Sequence, residues 1–296
     1  MARSVRLGLI SEGTNTWPLY VAQATGLFVL EDVDLAVSVT GSSVKQQQEL
    51  MNGHFDIGFQ QADHVIRAVE RGSDLFIFMA HGHAPDLSLV AAPGTSNIND
   101  LRGRTIAVDG ARTGYALLLR GLLKQHGLAE SDIVVQEFGG SVERYQAMKS
   151  GAAAASLLNP PFDANLASDG YPVLARMAER FPTYPGSVMA ARRSWARTHE
   201  QAVLAFIRAY DAAYAWLQDP ANHSEALSVL PSHLNIAPDA ARDALQHFAQ
   251  QPRPQLTVEG LQQVIDVVWD AENYLTPKRA PEHYMDLSFM KHAHEG

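Results

Sequence analysis

Three of the histidines stand where imidazole side chains could do chemistry. His64 begins a predicted helix, and His81 and His83 follow a predicted strand with Asp86 close behind them. Because side chains two residues apart on a strand point to the same face, His81 and His83 could converge on one group. Such a pair could bind a divalent cation, hydrogen-bond a carboxylate or transfer protons. The alternative interpretation is that they are polar loop residues without chemistry.

A second set of candidates lies in the polar corners where predicted strands give way to helices. The corner at Trp17 places backbone N–H groups and hydroxyls beside an indole ring, which suits a small polar or anionic ligand. Ser42 and Ser43 are typical of a helix N-cap, whose geometry also suits an anion. Arg112 could hold a carboxylate or sulfonate through two hydrogen bonds, or pair with Asp109 at the surface. The candidate ligand-binding residues in these corners are Asn15, Thr16, Trp17, Ser42, Ser43, Gln60, Gln61, His81, Arg112, Thr113, Tyr115 and Asn159.

The composition excludes several classes of protein. With 46% hydrophobic and 19% charged residues, the chain can bury one or two substantial cores. A net charge of -9, with no run of Lys or Arg longer than two, does not favour nucleic acid or an anionic membrane as a partner. The absence of cysteine excludes disulfides, thiolate metal sites and cysteine nucleophiles.

The sequence shows no targeting or membrane-spanning segment. Only MARS precedes the first predicted strand, without the apolar stretch that a secretory leader needs. We therefore expect a cytoplasmic protein as written, or a periplasmic one if a leader has been removed. The longest apolar runs, such as Ala152 to Leu158, are far below the roughly 20 residues that span a bilayer, so no membrane insertion is expected.

The order of predicted elements indicates an α/β protein with two lobes. Strands at residues 5–10, 33–39, 55–59 and 75–80 alternate with helices, which is typical of mostly parallel sheets covered on both faces. The same alternation returns further along the chain. We place the first lobe at residues 1–92 together with 189–296, and the second at 93–188.

The last third of the chain is predicted to be helical. Thr198 to Leu217 forms a long amphipathic stretch in which Phe206, Tyr210 and Tyr214 recur at helical spacing, and this spacing predicts a core face. The following helices, without strands between them, are expected to pack as a C-terminal cap. Residues 283–296 are polar and are expected to be frayed.

Several of the corner sequences together resemble a known family. TWPLYVAQATGLF, followed by VDLAV and MNGHFDIGF, is similar to the nitrate, sulfonate and taurine binding proteins of ABC importers and to the related thiamine-pyrimidine-synthase-like proteins, and DLRGRTIAV resembles their entry to the second lobe. The similarity covers roughly residues 5–217. It implies a type 2 periplasmic binding protein fold: two α/β lobes with a ligand cleft between them, hinge closure over the ligand, and a C-terminal helical cap. Ligand sites in such sheets form beyond the carboxyl ends of the strands.

The chain departs from the pyrimidine-synthase branch of this family at two points. Those enzymes carry a histidine at a position like His64, near a lysine that binds pyridoxal phosphate, but Gln60 stands at the lysine's corner here. Their cysteine-rich iron-binding motif cannot exist in a chain without cysteine. We therefore expect no cofactor, and no metal beyond the weak candidate set of His81, His83 and Asp86.

The leading hypothesis is a solute-binding protein that captures a small organic anion, a sulfonate or carboxylate with aromatic acids included, for an ABC importer. Trp17 would stack on the ligand, Ser42, Ser43 and Thr113 would donate hydrogen bonds, and Arg112 would neutralise its charge. The expected partners are the small-molecule ligand and an ABC permease, and the chain is expected to be a monomer.

Two alternatives remain open at this point. The first is an intracellular enzyme on the same fold, such as a decarboxylase of a hydroxylated aromatic acid, with His64, His81 and His83 as catalytic candidates. The second is an intracellular sensor that uses ligand-driven closure to contact a partner.

Overall fold

A computed structural model describes residues 2–10, 12–83, 85, 87–111, 113–159, 162–234 and 238–295. Ten strands lie within these residues. They are β1 (Arg3–Leu9), β2 (Val33–Val39), β3 (Ile57–Gln60), β4 (Leu75–Gly82), β5 (Ser88–Ala91), β6 (Thr105–Val108), β7 (Val134–Glu137), β8 (Ala155–Leu158), β9 (Val173–Arg176) and β10 (Ser187–Arg192).

The helices alternate with the strands and then dominate the last third of the chain. They are α1 (Trp17–Ala24), α2 (Leu27–Leu30), α3 (Ser43–Met51), α4 (Ala62–Glu70), α5 (Gly114–Gln125), α6 (Ser141–Lys149), α7 (Phe162–Ser168), α8 (Met177–Arg180), α9 (Arg193–Thr198), α10 (Glu200–Gln218), α11 (His223–Leu234), α12 (Pro238–Gln250), α13 (Val258–Glu272) and α14 (Ser288–His294). Short 3-10 helices occupy Thr14–Thr16, Ile98–Leu101, Glu130–Asp132, Pro220–Asn222 and Pro281–His283. Within the described part of the chain, no helix combines the length and apolar character needed to cross a bilayer.

The chain divides into two compact units. Unit 1 consists of Met1–Gly82, Gly186–Leu256 and Ala280–Gly296, and unit 2 of His83–Pro185 and Thr257–Arg279. The described strands form two sheets of five, one in each unit. Both sheets mix parallel and antiparallel pairs and are accompanied by helices, so the predicted α/β class is confirmed.

The sheet of unit 1 has the strand order β2-β1-β3-β10-β4. β1 pairs in parallel with β2 and β3, as the alternation of strands and helices predicts. β10 lies antiparallel between β3 and β4. β10 follows the first segment of unit 2 in the sequence, and it is the one strand of the five that runs antiparallel to its neighbours.

The core of unit 1 forms around α10. Its buried face carries Phe206, Tyr210 and Tyr214, so the core face predicted from their spacing is confirmed. Phe206 stacks on Phe28 with ring centroids 5.5 Å apart. Each fully buried side chain of this size stabilises the fold by about 1.5–3 kcal/mol relative to an exposed one.

Unit 2 has the strand order β7-β6-β8-β5-β9, with β5 antiparallel to both β8 and β9. The predicted boundary at residue 92 placed β5 in the first lobe. The structure places it in unit 2, because Leu89 and Val90 are fully buried there and the strand shares its backbone hydrogen bonds with two strands of that sheet. A boundary cannot be located from the composition when the strands on both sides of it are equally apolar.

Helix α13 also belongs to unit 2, although the sequence places it in the cap of the first lobe. It packs against α5 at Gly121, where an added Cβ atom would lie 3.5 Å from a methyl group of Val267. Lys124 Nζ donates to Asp270 across the same contact, at 2.5 Å. A Cβ atom at that distance would make ordinary van der Waals contact, so Gly121 lies at the contact between the two helices without being required by it.

The C-terminal residues are held against unit 1, so the expectation of a frayed end was wrong. β4 is the edge strand of its sheet, and its Ile77 exchanges backbone hydrogen bonds with the carbonyl of Tyr284, at 2.8 Å, and the N–H of Asp286, at 2.9 Å. Tyr284 is fully buried and donates its hydroxyl to Glu70 at 2.7 Å. The C-terminal segment thus pairs with backbone groups of the edge strand that would otherwise face water.

A partly buried cluster of Asp211, Arg253 and His294 attaches the last helix to α10. Burial raises the pKa of Asp211, and Arg253 and His294 oppose that shift. Arg253 Nε donates to one carboxylate oxygen at 2.6 Å, and His294 Nε2 lies 2.9 Å from the other. The carboxylate thus joins three segments that are distant in the sequence.

Replacing Arg253 with methionine is expected to lower the free energy of unfolding by about 2–4 kcal/mol, because it leaves the Asp211 carboxylate buried with a single partner. Urea denaturation at neutral pH measures the change. Arg242→Met is the matched control, since Arg242 pairs with Asp239 where the two side chains are 59% and 89% exposed. That substitution should stay within about 0.5 kcal/mol of the parent protein. Equal effects of the two substitutions would contradict the stabilising role of the Asp211 cluster.

Candidate functional site

One edge of the unit 1 sheet gathers polar side chains from three strands. β3 ends at Gln60, β4 ends at His81 and Gly82, and β10 begins at Ser187. The antiparallel register sets Val188 opposite Gln60 and Ser187 opposite Gly82. The two strand ends and the strand start therefore lie at the same edge, which is where ligands bind in open α/β sheets.

A chain of amide hydrogen bonds fixes the orientation of Gln60. Gln46 Nε2 donates to the carbonyl of Gly8 at 2.9 Å, and Gln60 Nε2 donates to Gln46 Oε1 at 2.7 Å. Because the carbonyl of Gly8 can only accept, Gln46 must present its Nε2 there and its Oε1 to Gln60. Gln60 Oε1 then remains buried without a partner among the described residues. Gly58 makes room for this chain, since a Cβ atom there would run into the Gln46 side chain.

His81 lies at the same edge as a buried, uncharged imidazole. It is 4% exposed and its ring centroid lies 4.1 Å from that of Phe59. Burial lowers the pKa of His81 to about 3, and the backbone carbonyl of Asn15 opposes that shift without cancelling it. Within the described part of the chain, neither ring nitrogen makes a hydrogen bond of regular geometry, although the backbone carbonyls of Asn15 and of His81 itself lie close enough to act on the imidazole. A buried polar atom without a partner costs about 1–3 kcal/mol, so this imidazole is an unexpected side chain for a purely structural position.

Asn15 and Ser187 complete this edge. Asn15 Nδ2 donates to Ser187 Oγ at 3.4 Å, and the carbonyl of Asn15 accepts from the hydroxyl of Tyr210 at 3.2 Å. Ser187 fits against β4 only because residue 82 is glycine, since a Cβ atom there would collide with Ser187 Oγ. The structure therefore brings together Asn15 and His81 of the predicted set and adds Ser187, which the sequence did not indicate. Gln60 lies at the same end of the sheet but on the face that packs against Gln46 of α3.

Trp17 is placed differently from its predicted role. Its side chain is fully buried and belongs to the core of unit 1, with its ring centroid 6.2 Å from that of Phe248. The ring is thus packed against the C-terminal helices. It could stack on a ligand only if these helices moved away from it. Its Nε1 is another buried donor without a partner among the described residues.

The remaining unit 1 candidates lie at the starts of helices. Ser42 is exposed and caps α3 by accepting from Lys45 N at 3.3 Å, and Ser43 begins that helix. Thr16 is buried, and its hydroxyl donates to the carbonyl of Gly13 at 2.7 Å. Gln61 precedes α4 as a half-buried residue without a side-chain cap.

His64 lies in the first turn of α4. Its Nε2 is 3.9 Å from the Asp63 carboxylate, which also accepts a hydrogen bond from Arg67. Its backbone carbonyl accepts from Gln47 Nε2 at 2.6 Å. His64 thus lies beside the Asp63–Arg67 ion pair of α4 and not in the amide chain that holds Gln60.

The parallel strands of unit 2 end in a second polar edge. Thr113, which follows β6, donates its hydroxyl to Asp109 at 2.7 Å and caps α5 by accepting from Ala116 N at 3.3 Å. Tyr115 is half-buried in the first turn of α5, and burial raises the pKa of its hydroxyl. Thr113 and Tyr115 therefore lie where the sequence predicts them, at the carboxyl end of β6.

Arg144 is a buried cation at this edge that the sequence analysis did not single out. It is 2% exposed, and its guanidinium donates to the carbonyls of Leu157, at 3.2 Å, and Gly139, at 2.7 Å. In the part of the chain that the structure describes, it forms no ion pair; the carboxylates of Asp109 and Glu143 act on it only at longer range. Burial lowers its pKa, but a guanidinium remains charged at any physiological pH.

Ser141 and Asn159 complete the surroundings of Arg144. Arg144 Nη2 donates to Ser141 Oγ at 3.1 Å, and Ser141 Oγ lies 2.5 Å from Asn159 Oδ1. Asn159, a predicted candidate, follows the end of β8, so it is brought to the same edge as Arg144. The sequence places Arg144 one helical turn after Ser141, at the start of α6, and this position could have singled it out.

A second cation at the unit 2 edge is already paired. Ser88 Oγ donates to the buried carboxylate of Asp163 at 2.7 Å, and Arg176 lies 3.3 Å from Ser88 Oγ and 3.9 Å from that carboxylate. The charge of Arg176 is therefore offset by Asp163. Among the described residues, Arg144 has no such partner.

The predicted histidine pair is not supported by the strand geometry. β4 ends at Gly82, so His83 lies beyond the strand and belongs to unit 2, whereas His81 belongs to unit 1. The rule that alternate residues share a face applies only within a strand. Asp86 and Arg112 lie outside the described residues. Among the residues that are described, no group of three or more His, Asp or Glu side chains could hold a metal ion.

Comparison with solved structures defines the class of fold. The periplasmic aliphatic sulphonate binding protein SsuA of Escherichia coli matches with a TM-score of 0.75 at 18% identity, covering 96% of this chain and 97% of that chain. The alkanesulfonate-binding SsuA of Xanthomonas axonopodis pv. citri, bound to MOPS, matches with a TM-score of 0.73 at 18% identity, covering 97% and 99%. The periplasmic nitrate-binding protein NrtA of Synechocystis PCC 6803 matches with a TM-score of 0.75 at 12% identity, covering 99% and 89%. The chain therefore has the fold of the periplasmic binding proteins, as predicted.

The family follows from the sequence itself. The model of the NMT1/THI5-like family matches residues 13–223, which is more than half of the chain. The chain belongs to this family, and the predicted resemblance is confirmed. No curated protein sequence matches it.

His81 is expected to make the protein acid-sensitive, because its pKa of about 3 lies below the ordinary value of 6.5. As the pH falls below 6.5, the unfolded state binds a proton that the folded state excludes, so unfolding becomes more favourable by about 1.4 kcal/mol per pH unit until the pH approaches 3. Between about pH 6.5 and pH 4.5 the parent protein should lose about 2–3 kcal/mol more stability than His81→Phe.

Urea denaturation at both pH values measures this difference. His54→Phe is the control, since His54 is exposed, and it should retain the parent's pH dependence. At pH 7, His81→Phe should be at least as stable as the parent protein, because the substitution removes two unpaired nitrogens and keeps the ring packed on Phe59. If His81→Phe retained the full loss of stability in acid, the imidazole would not be held neutral by burial.

Proposed function

We propose that this protein is a solute-binding component of an ABC importer and that it captures a small organic anion. The single observation that carries the choice of an anion is Arg144, a buried guanidinium at the carboxyl edge of the unit 2 sheet without an ion pair among the described residues. Its neighbours Ser141 and Asn159 are polar and neutral. A buried positive charge is stabilised by a ligand that brings the opposite charge.

Two further observations support binding of a solute. The fold is shared with proteins described as binding sulfonates and nitrate, and one of these holds MOPS, which is itself a sulfonate. In both units, polar side chains collect at the carboxyl ends of the parallel strands, where ligands bind in sheets of this kind. Hinge closure of two lobes over the ligand stays a prediction.

A role in an importer also implies a permease partner and a location outside the cytoplasmic membrane. The bacterial sulphonate-binding and nitrate-binding neighbours are described as periplasmic, which supports a periplasmic location for an exported form of this chain. The monomeric state stays a prediction.

The decarboxylase alternative gains no support from His81. A histidine with a pKa of about 3 is unprotonated at neutral pH, and it is therefore a poor general acid for protonating a carbanion. His64 and His83 remain the catalytic candidates of that alternative. Analysis of the ligand after incubation separates the two functions, because a bound solute is recovered unchanged whereas a decarboxylase releases product.

A panel of benzoate, 4-hydroxybenzoate, taurine and ethanesulfonate tests the proposed function by isothermal titration calorimetry. At least one of these anions should bind, and Arg144→Gln should weaken that binding by about 10- to 100-fold, since a hydrogen bond to a charged group is worth about 1.5–3 kcal/mol. Arg102→Gln is the control in the same unit, because Arg102 is 57% exposed and pairs with Asp132. Circular dichroism of each variant excludes unfolding as the cause. Binding that is equally strong in Arg144→Gln would remove Arg144 from the site, and turnover of a panel member would favour the enzyme.

A further inference from the structure

Three neighbouring parallel strands of unit 2 bring a buried cation close to a carboxylate. β6 lies between β7 and β8 in the sheet. Arg144 donates to the carbonyl of Gly139, which follows β7, and to the carbonyl of Leu157 in β8. Neighbouring strands lie about 4.7–4.9 Å apart, so two carbonyls of β7 and β8 that share one guanidinium flank the end of β6. Asp109 is the residue that follows β6 at this point.

A backbone hydrogen bond also places Asp109 beside this guanidinium. Phe138 N donates to the carbonyl of Val108 at 2.9 Å, and Gly139 and Asp109 are the residues that follow this bonded pair. Gly139 in turn accepts from Arg144 at 2.7 Å. Burial lowers the pKa of Arg144, and the charge of Asp109 opposes that shift. The two side chains are therefore neighbours, although they do not form an ion pair with each other.

The carboxylate of Asp109 has an oxygen that can accept a further hydrogen bond. Its Oδ1 accepts from the Thr113 hydroxyl at 2.7 Å, whereas Oδ2 accepts no hydrogen bond from the described residues. Asp109 is half-buried, so its charge is less well screened than that of an exposed carboxylate. The edge thus presents a positive and a negative group, each without an opposite charge in direct contact among the described residues.

We propose that Asp109 selects a zwitterionic ligand, in which an ammonium group stands close to the anionic group that Arg144 binds. This inference rests on the proposed capture of a small organic anion, and it specifies a second charged group on that ligand. The ammonium donates to Asp109 Oδ2, so Asp109 is a specificity-determining residue. Because Asp109 follows the strand that Arg144 spans, the two charges of the ligand must be joined by a short linker.

A plain anion fits this edge less well than a zwitterion does. Its charge is attracted by Arg144 but repelled by Asp109, and both effects are stronger near a protein interior than in water. A zwitterion carries its two charges in the arrangement that the edge complements, so both interactions are favourable. A hydrogen bond between an ammonium and a carboxylate is also one of the stronger kinds in proteins.

The alternative is that Asp109 touches no ligand. It could act on Arg144 through space alone, or pair with Arg112, which lies outside the described residues. A through-space effect opposes an anion but has little net effect on a zwitterion, since the two charges of the zwitterion respond in opposite directions. Removing the carboxylate would then tighten binding of the anion and leave the zwitterion unchanged. Direct contact predicts instead that the zwitterion binds more weakly.

Matched pairs of compounds that share one carbon skeleton test the inference. The probes are taurine with ethanesulfonate, β-alanine with propionate, and 4-(aminomethyl)benzoate with 4-methylbenzoate, each titrated calorimetrically into the intact protein. In at least one pair we expect the zwitterion to bind about tenfold more tightly than its anion, or more. Asp109→Asn should weaken binding of that zwitterion by about tenfold or more, because it removes the charge. The asparagine can still accept from the Thr113 hydroxyl, which preserves the local structure.

Glu143→Gln is the matched control. Glu143 is exposed and, like Asp109, acts on Arg144 only through space. Because the charge of an exposed carboxylate is screened by solvent and salt, this substitution should leave the affinity for the zwitterion within about twofold of the parent protein. A role of Asp109 in folding alone would lower the melting temperature of Asp109→Asn and weaken both members of a pair by the same factor.

The outcomes separate this inference from the proposed function. The inference is overturned, while anion capture by Arg144 stands, if the plain anions bind at least as tightly as the zwitterions. It is also overturned if Asp109→Asn does not weaken the zwitterion, weakens both members of a pair equally, or has no larger effect than Glu143→Gln. If no compound of either kind binds, the inference and the proposed capture of a small organic anion both fail.

Discussion

The antiparallel pairing of β10 between β3 and β4 is the constraint on which the unit 1 edge depends. β10 enters this sheet at Ser187, at the edge where β3 and β4 end. In a parallel arrangement Ser187 would lie at the opposite edge, far from Asn15. The register also sets Ser187 opposite residue 82, where a side chain would collide with its hydroxyl, so that position requires glycine. This one strand pairing thus determines which polar side chains lie at the edge and how much space is left beside Ser187.

Much of this architecture could be predicted from local sequence pattern. The strand ends were located closely enough for Gln60, His81, Thr113 and Asn159 to be chosen, because the rule that sites form at the carboxyl ends of strands needs only the order of the elements. The core face of α10 followed from helical spacing. The boundaries of the two units could not be predicted in this way, because β5 and α13 belong to unit 2 through contacts with strands and helices that are distant in the sequence.

Where the surroundings of a residue differ from those that local pattern suggested, the physical origin is the same. The indole of Trp17 is a side chain typical of a pocket wall. Its environment, however, is set by Phe248, which lies on a helix near the other end of the chain. His83 shares its spacing with His81, yet β4 ends one residue before it. Arg144 lies inside a helix and carries no local signal of burial; its role depends on the carbonyls of Gly139 and Leu157, and only the folded sheet brings the latter to it. Local pattern specifies which elements form, whereas the environment of a side chain depends on tertiary contacts.

The two polar edges differ in how burial is tolerated. Arg144 keeps its charge because backbone carbonyls and a hydroxyl replace the water that it loses, and a guanidinium is hard to deprotonate. His81 responds to burial in the other way, because its imidazole remains neutral. Neither of its nitrogens makes a hydrogen bond of regular geometry to the described part of the chain. A phenylalanine would fill the same space beside Phe59 without that cost, and substitutions that improve stability in this way are readily accessible to most proteins. An imidazole at this position is therefore not explained by packing alone.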